Sequence, residues 1–357
     1  MVGIAINKNN ATNRIAEMAI KRVLLLDTSI ASNNIGDEII NDSIHQNWRE
    51  LYDGNYVSRF PSHTPPYSWW QQLFFKKKIE SLKKADYIFL CGTNALYTNM
   101  LRPLPVWNVH LWNAPFYKGT ILLGVGAGIN SSKVNAYTRN LYKKILNRDY
   151  IHSVRDEYTK DMLVSLGYRA YNTGCPTLWG LTSERVKTIP TSKSHKVVFT
   201  LTSYHPDIDC DRAMIEILRQ EYDQLYFWPQ TITDYEYVKS LCDIDFISIP
   251  PNLSAYDKLL SSDIDYVGNR LHGGIRALQH GRRTVIVAID YRARNFKKSY
   301  SLPIIERKDI MKELRFMINS NFKTEITGLD WDLIESWKSQ FGMSNVNPVT
   351  GGGCPKT

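Results

Sequence analysis

Residues 265–274 read DYVGNRLHGG, the pattern of a buried strand that ends in a turn and opens a helix. At the predicted strand end stand Gly268, Asn269, Arg270 and His272. In parallel α/β sheets, ligands bind at the carboxyl ends of the strands, and the N–H groups that begin the next helix attract anions. Arg270 adds a planar cation, and His272 adds a group that exchanges protons near neutral pH. This stretch therefore predicts an α/β sheet with a site for an anionic substrate and proton transfer.

Short apolar runs alternate with helix-length segments along the rest of the chain. The predicted strands cover residues 23–26, 87–90, 121–125, 150–154 and 170–172, and then residues 197–201, 225–228, 246–249, 266–267 and 284–289. Two such series in succession predict two Rossmann-like, doubly wound domains with parallel sheets. The strand ends of the two sheets are expected to face each other across a cleft.

Composition changes along the chain suggest where these domains begin and end. The predicted segments are a flexible lead over 1–20, a first domain over 21–182, a polar linker over 183–195, a second domain over 196–325, a C-terminal helix over 326–345 and a disordered tail over 346–357.

The overall composition favours a cytoplasmic globular protein that binds anions. Among 357 residues with a net charge of +9, no run is long and apolar enough to cross a membrane, and no secretory signal pattern begins the chain. Five scattered cysteines without a C-x-x-C pair argue against a zinc site or a disulfide framework. Basic residues cluster at 76–78, 83–84, 282–283 and 292–298. The first two clusters either form a solvated helix face or attract the chain to the inner face of a membrane. No sequence-specific nucleic-acid motif is visible, so nucleic acid is not an expected partner.

Glycine-containing loops follow several predicted strands. In the first of them, Gly36 permits close approach of a ligand, while Asp37 either caps the next helix or lines the cleft. Asn94 follows the strand at 87–90, and Gly126 lies in a G-x-G-x-G run. That run matches a dinucleotide fingerprint only loosely, which argues against a nicotinamide or flavin cofactor.

Three further residues with ionisable side chains each allow two interpretations, one as a substrate contact and one as an ordinary structural or surface residue. Arg155 either pairs with Asp156 at a helix start or clamps a carboxylate or phosphate. His205 lies in a loop beside a proline, and Lys258 lies in a charged helical turn. Both are candidates for substrate contact, and both are also common on a solvated surface.

Several motifs together resemble the polysaccharide pyruvyl transferase family. They are Gly36-Asp37-Glu38, Val154-Arg155-Asp156 with Gly167, Thr173-Gly174-Cys175-Pro176 and Asn269-Arg270-Leu271-His272-Gly273. The resemblance spans about residues 21–295. It departs from the family pattern at residues 91–94, where many members carry a glycine-rich loop, and at Cys175, where an acidic residue is frequent.

The resemblance implies a GT-B-like pair of domains and an enzyme that uses phosphoenolpyruvate as its donor. The pyruvyl group would pass to a sugar of a cell-surface or exopolysaccharide, or to its lipid-linked precursor, as a cyclic ketal with release of phosphate. No cofactor or metal is expected. The alternatives are a GT-B nucleotide-sugar glycosyltransferase and a non-catalytic glycan-assembly protein of the same fold.

Roles can be assigned to the candidate residues on this basis. Arg270 and Arg155 would hold the phosphate and carboxylate of the donor, and His272 would either protonate the methylene carbon or bind the leaving phosphate. Asp37 or Glu38 would act as base toward the acceptor. The remaining expected substrate contacts are Asn269, Leu271, Gly273, Gly36, Asn94, Gly126, His205 and Lys258.

Overall fold

The computed structural model describes residues 20–74, 80, 84–101, 106–128, 131, 133–241 and 246–343. The predicted tail and all but the last residue of the predicted lead lie outside these ranges. The strands are β1 (Arg22–Asp27), β2 (Tyr56–Pro61), β3 (Tyr87–Cys91), β4 (Asn94–Tyr97), β5 (Thr120–Leu123), β6 (Gly126–Gly128), β7 (His152–Val154), β8 (Ala170–Asn172), β9 (Lys196–Thr200), β10 (Gln224–Phe227), β11 (Ile247–Ser248), β12 (Asp265–Gly268), β13 (Thr284–Ala288) and β14 (Ile304–Glu306).

Helices connect these strands. They are α1 (Ile35–Asn47), α2 (Glu50–Asp53), α3 (Trp69–Phe74), α4 (Ala136–Ile145), α5 (Glu157–Ser165), α6 (Ser183–Lys187), α7 (Ile208–Glu221), α8 (Ile232–Leu241), α9 (Leu253–Leu260), α10 (Leu271–Gln279), α11 (Tyr291–Tyr300), α12 (Arg315–Asn319) and α13 (Trp331–Ser339). Short 3₁₀ turns occur at Ala114–Tyr117, Pro176–Leu178 and Arg307–Asp309, and a π-helical turn at Ile310–Leu314 precedes α12.

The first sheet has the parallel order β2-β1-β3-β5. Its central strand β1 is apolar at successive positions because both faces are covered. Leu25 belongs to one hydrophobic cluster and Leu24 to another. One bridge, from Val125 just after β5 to Val154, links this sheet to β7, which pairs with β8.

The second sheet is parallel throughout, with the order β11-β10-β9-β12-β13-β14. In chain order its strands run third, second, first, fourth, fifth, sixth, which is the arrangement of dinucleotide-binding folds. The order reverses between β9 and β12, and such reversal points open a crevice at the carboxyl ends of the strands. The α/β, doubly wound prediction is confirmed, and Asn269 and Arg270 follow the strand beside this crevice.

The C-terminal helix returns to the first sheet. In α13, Trp337 packs edge-on against Trp48 at 5.3 Å and donates its indole N–H to the Ile151 carbonyl at 2.7 Å. Beyond the helix, Phe341 packs on Tyr87. One hydrophobic cluster therefore includes residues of both sheets, and the predicted domain limits remain a prediction. Within the predicted linker, Ser183–Lys187 is helical.

In the described part of the chain, no helix combines the length and apolar character that crossing a bilayer requires. Within the same residues, His, Cys, Asp and Glu side chains form no group of three that could hold a metal ion. The expectation that the chemistry needs no metal stays a prediction.

Candidate active site

The starts of α1 and α10 meet from opposite domains at Gln230. The amide of Ile35 donates to the Gln230 carbonyl at 3.3 Å. A Cβ on Gly36 would lie 3.3 Å from Gln230 Oε1, and one on Gly273 would lie 2.9 Å from Nε2. A side chain at residue 273 would therefore collide with Gln230, and one at residue 36 would press against it. The cap of α1 is Asn34, whose side chain accepts from the Gly36 amide, so Asp37 does not fill the cap.

Arg155 follows β7 and is 4% exposed. Its Nη2 donates to Asn94 Oδ1, while Asn94 Nδ2 donates to the Tyr291 hydroxyl of the other domain at 3.3 Å. A Cβ on Gly126 would lie 2.4 Å from Arg155 Nε, so this glycine makes room for the guanidinium. Asp156 caps α5 and lies 3.9 Å from Arg155, too far for a close ion pair.

His272 lies at the start of α10, with its Nε2 3.9 Å from the sulfur of Cys175. Desolvation, with the nearby guanidinium groups of Arg155 and Arg292, lowers the pKa of His272 to about 3, while Asp290 opposes the shift. The ring is therefore neutral while the site holds no anion. An anion bound beside the two arginines would offset their charge and favour the imidazolium.

Asp37 belongs to the same electrostatic group. Desolvation raises the pKa of its carboxyl, although a bond from Ser32 Oγ at 2.6 Å and the charges of His63, Arg292 and Arg155 lower it. A carboxylate with a raised pKa is a better proton acceptor near neutral pH than an ordinary one. The structure thus brings Asp37, Arg155 and His272 together, as expected for one site.

Arg292, in the first turn of α11, is a component that strand-end reasoning missed. It pairs with Asp290 at 2.6 Å, and its Nη2 donates to the Tyr204 hydroxyl at 2.9 Å. Asp290 also caps α11, accepting from the Arg292 amide. The available signal is the Asp-x-Arg segment after β13, although in the sequence Arg292 is one of several basic residues clustered at 292–298.

Arg270 is more constrained than its sequence context suggested. Its Nε and Nη2 donate to Asp234, and its guanidinium lies 5.1 Å from the centre of the Tyr204 ring. The adjacent Asn269 is 4% exposed, and both polar atoms of its side chain lack a partner. Gln230 Nε2 is also buried and unpaired. Buried amides without partners are rare and point to a polar ligand or water at this position.

Other candidates lie at the margins. Leu271 packs against the cluster shared by the two sheets. His205 is exposed, and its ring lies against Tyr204 at 4.9 Å. Lys258 and Glu38 are exposed. Among the described residues, no contact joins Lys258 to Arg155, Arg270 or His272. Their roles in substrate binding stay predictions.

A shallow pocket beside this group is lined by Arg155, Tyr291 and Arg292, among others. A larger cavity of 510 Å³ lies between α6 and residues 323–327 and includes none of the charged groups described above. A reaction on an anionic substrate needs charged and proton-transferring side chains more than a large cavity. The group formed by Arg155, Arg292 and His272 is therefore the candidate active site.

Residues 34–291 match the family model for polysaccharide pyruvyl transferase, from the cap of α1 to the start of α11. The chain belongs to the polysaccharide pyruvyl transferase family. The matched region contains Asp37, Asn94, Arg155 and His272, and Arg292 follows it directly. Apart from Arg292, the grouped charges therefore lie within the region that matches the family model.

Two solved structures are similar to the chain over nearly its whole length. One is S. aureus MnaA with UDP, at 10% identity and a TM-score of 0.46, covering 93% of this chain and 100% of that one. The other is Methanocaldococcus jannaschii UDP-GlcNAc 2-epimerase with UDP-GlcNAc and UDP, at 12% identity and a TM-score of 0.48, covering 91% and 99%. Neither likeness is close enough to indicate a ligand. No curated protein matches the sequence.

Proposed function

We propose that this pyruvyl transferase takes its pyruvyl group from phosphoenolpyruvate and places it on two hydroxyls of a sugar as a cyclic ketal, releasing phosphate. The observation that carries the proposal is the pair of guanidinium groups, Arg155 and Arg292, both acting electrostatically on His272. Phosphoenolpyruvate bears a carboxylate and a phosphate, and arginine binds both groups in a bidentate geometry.

The reaction requires no net source of protons. One sugar hydroxyl adds to the central carbon of the donor, and a proton joins the methylene carbon to form a methyl group. Phosphate then leaves, and the second hydroxyl closes the ketal. Of the two hydroxyl protons, one balances the new methyl group and the other leaves with phosphate.

His272 and Asp37 are suited to move these protons. Donor binding beside Arg155 raises the pKa of His272, so the ring can give a proton to the methylene carbon or bind the leaving phosphate. Asp37, whose pKa burial raises, is the proposed base toward the acceptor hydroxyl. Arg270 retains Nη1 for the donor, while its other nitrogens hold Asp234.

The acceptor side of the proposal is broader. The family name supports a sugar acceptor, and we propose a unit of a cell-surface polysaccharide or its lipid-linked precursor, modified at the cytoplasmic face of the membrane. Family membership favours this chemistry over nucleotide-sugar transfer, and the grouped charged residues favour catalysis over a purely structural role.

Phosphate release tests the proposal directly. The purified chain is incubated with phosphoenolpyruvate and a panel of lipid-linked and free oligosaccharides, and the ketal methyl group is sought by NMR. Arg292→Lys is expected to raise the donor KM by roughly 10-fold or more, because a charged hydrogen bond contributes about 1.5–3 kcal/mol. Lys298→Ala, a change at an exposed position of α11, is the control and should leave KM unchanged.

Thermal shift separates the rival functions. Stabilisation by phosphoenolpyruvate supports pyruvyl transfer, and its loss in Arg292→Lys would assign the binding to this site. Stabilisation by UDP or CMP without any effect of phosphoenolpyruvate would overturn the proposal in favour of a glycosyltransferase.

A further inference from the structure

A buried thiol from the first domain faces the histidine of the second. Cys175 is 0% exposed and lies between β8 and the 3₁₀ turn Pro176–Leu178. Its sulfur is 3.9 Å from Nε2 of His272, a separation at the long end for a hydrogen bond to sulfur. The contact joins residues 97 positions apart and crosses the domain interface.

The sulfur has a second hydrogen-bonding partner. The Thr177 hydroxyl, itself fully buried, donates to Cys175 Sγ at 3.1 Å. The sulfur thus already accepts one bond, and its own proton remains to be placed. Nε2 of His272 lies within reach of that proton and can accept it when the ring proton is on Nδ1.

The other ring nitrogen of His272 is open. Nδ1 is the ring nitrogen that does not contact Cys175, and none of the described residues bonds it. It is therefore the nitrogen available to a ligand held beside Arg155 and Arg292.

We propose that Cys175 is a positioning residue that holds His272 in its Nδ1–H tautomer. The thiol donates to Nε2, so the proton of the neutral ring resides on Nδ1 and faces the cleft. In water the Nε2–H tautomer of histidine is the favoured one, so the protein reverses the ordinary preference. An N–H group is complementary to an anion, whereas a nitrogen lone pair at the same place would repel it.

The tautomer has a consequence for the reaction, which rests on the proposed function. Nδ1–H is the group that donates to the carboxylate or phosphate of the donor. Once the bound anion has favoured the imidazolium, the proton that catalysis moves leaves from Nδ1, and the proton that stays on Nε2 is donated to the sulfur of Cys175. Because Cys175 belongs to the first domain, His272 acquires this tautomer only when the two domains are in contact.

Nitrogen-15 NMR of the histidine-labelled full chain at pH 7.5 tests the proposal without substrate. The low pKa keeps His272 neutral at this pH, so its two nitrogens report the tautomer. Its signals are assigned by their loss in His272→Asn. The expected result is a protonated Nδ1 in the wild type and in Cys175→Ser, and a shift toward a protonated Nε2 in Cys175→Val.

His152 supplies an internal control. Its Nδ1 accepts from the Leu122 amide at 3.1 Å and its Nε2 lies 2.9 Å from the Asn147 carbonyl, so it must be the Nε2–H tautomer. Its signal should stay constant in every folded variant. If Cys175→Val changes the His152 signal, the variant Thr177→Val is used instead of Cys175→Val. It removes only the hydroxyl bond to sulfur and should weaken the preference of His272 for Nδ1–H.

A protonated Nε2 on His272 in the wild type would overturn the proposal, as would an unchanged tautomer in a folded Cys175→Val. Activity gives a separate readout: with the tautomer shifted, kcat should fall while the donor KM changes less. If phosphoenolpyruvate proves not to be the donor, the tautomer result still stands, so the two proposals fail independently.

Discussion

Two neutral histidines make the folded protein sensitive to acid. Burial lowers the pKa of His152 to about 4, and desolvation with nearby arginines lowers that of His272 to about 3. In the unfolded chain both titrate near about 6.5. Between these values the unfolded state binds protons that the folded state does not, so the free energy of unfolding falls as pH drops below about 6.5.

The corresponding prediction concerns thermal stability. The Tm of the wild type should fall from pH 7 to pH 5, and His272→Gln should show a shallower fall because one of the two titrating groups is gone. Scanning fluorimetry across this range checks it. Equal pH slopes in the two proteins would mean that His272 binds protons equally in the folded and unfolded states, so that folding does not lower its pKa.

At the same scale, sequence reasoning found the residues that follow strands and missed those that act through distant partners. Arg155 and His272 stand directly after predicted strands, so the position of the site was predictable. The role of Arg292 depends on Tyr204, 88 positions away, and Cys175 meets His272 only through domain packing. Such contacts have no local sequence signature.

The two-stranded pair β4–β6 is the element that shapes the arginine side of the site. Asn94 pairs in register with Gly126, and a Cβ at Gly126 would lie 2.3 Å from Asn94 Oδ1 and 2.4 Å from Arg155 Nε. Gly126 therefore makes room for the Arg155 guanidinium, and Gly128 makes room for the Tyr97 ring.

Gly126→Ala should therefore displace Arg155 and raise the donor KM by roughly 10-fold or more, the equivalent of one lost charged hydrogen bond. Gly128→Ala is the matched control, because its Cβ would meet the Tyr97 ring at 2.3 Å instead of the arginine. Steady-state kinetics and Tm of both variants decide the matter. Equal KM effects in the two would make the change a general defect of the strand.

The central strands could be predicted because burial on both faces leaves a continuous apolar run. The missed strands lack that run. β2 is a half-buried edge strand ending in Pro61, and β6 is a glycine segment that resembles a turn. The other two missed strands, β4 and β14, are only four and three residues long. These strands could not be predicted from the apolar pattern because they are short or lie at the edge of a sheet.

At the scale of the whole molecule, an ion group centred on the buried Arg276 links helices α1, α9 and α10. Arg276 of α10 is 4% exposed and bonds Asp42 of α1 at 2.7 Å and Asp257 of α9 at 2.6 Å. Burial raises the pKa of the Asp257 carboxyl, but the hydrogen bonds from Arg276 and His280 outweigh this effect and lower it to about 2. Gln279 adds a bond to Ser43 across the same interface at 3.0 Å.

This group should control how firmly the domains stay closed, and hence whether Cys175 reaches His272. Arg276→Met leaves two carboxylates without their cation and is expected to lower the free energy of unfolding by about 3 kcal/mol. Asp42→Asn keeps the Arg276–Asp257 pair and should cost less than about 1 kcal/mol, because Asp42 is partly exposed. Arg219→Met, which breaks an exposed pair with Glu216, is the control and should cost almost nothing. Urea unfolding followed by tryptophan fluorescence measures all three. If Arg276→Met and Arg219→Met proved equally mild, the domains would be held by their shared hydrophobic cluster, and the ion group would contribute only orientation.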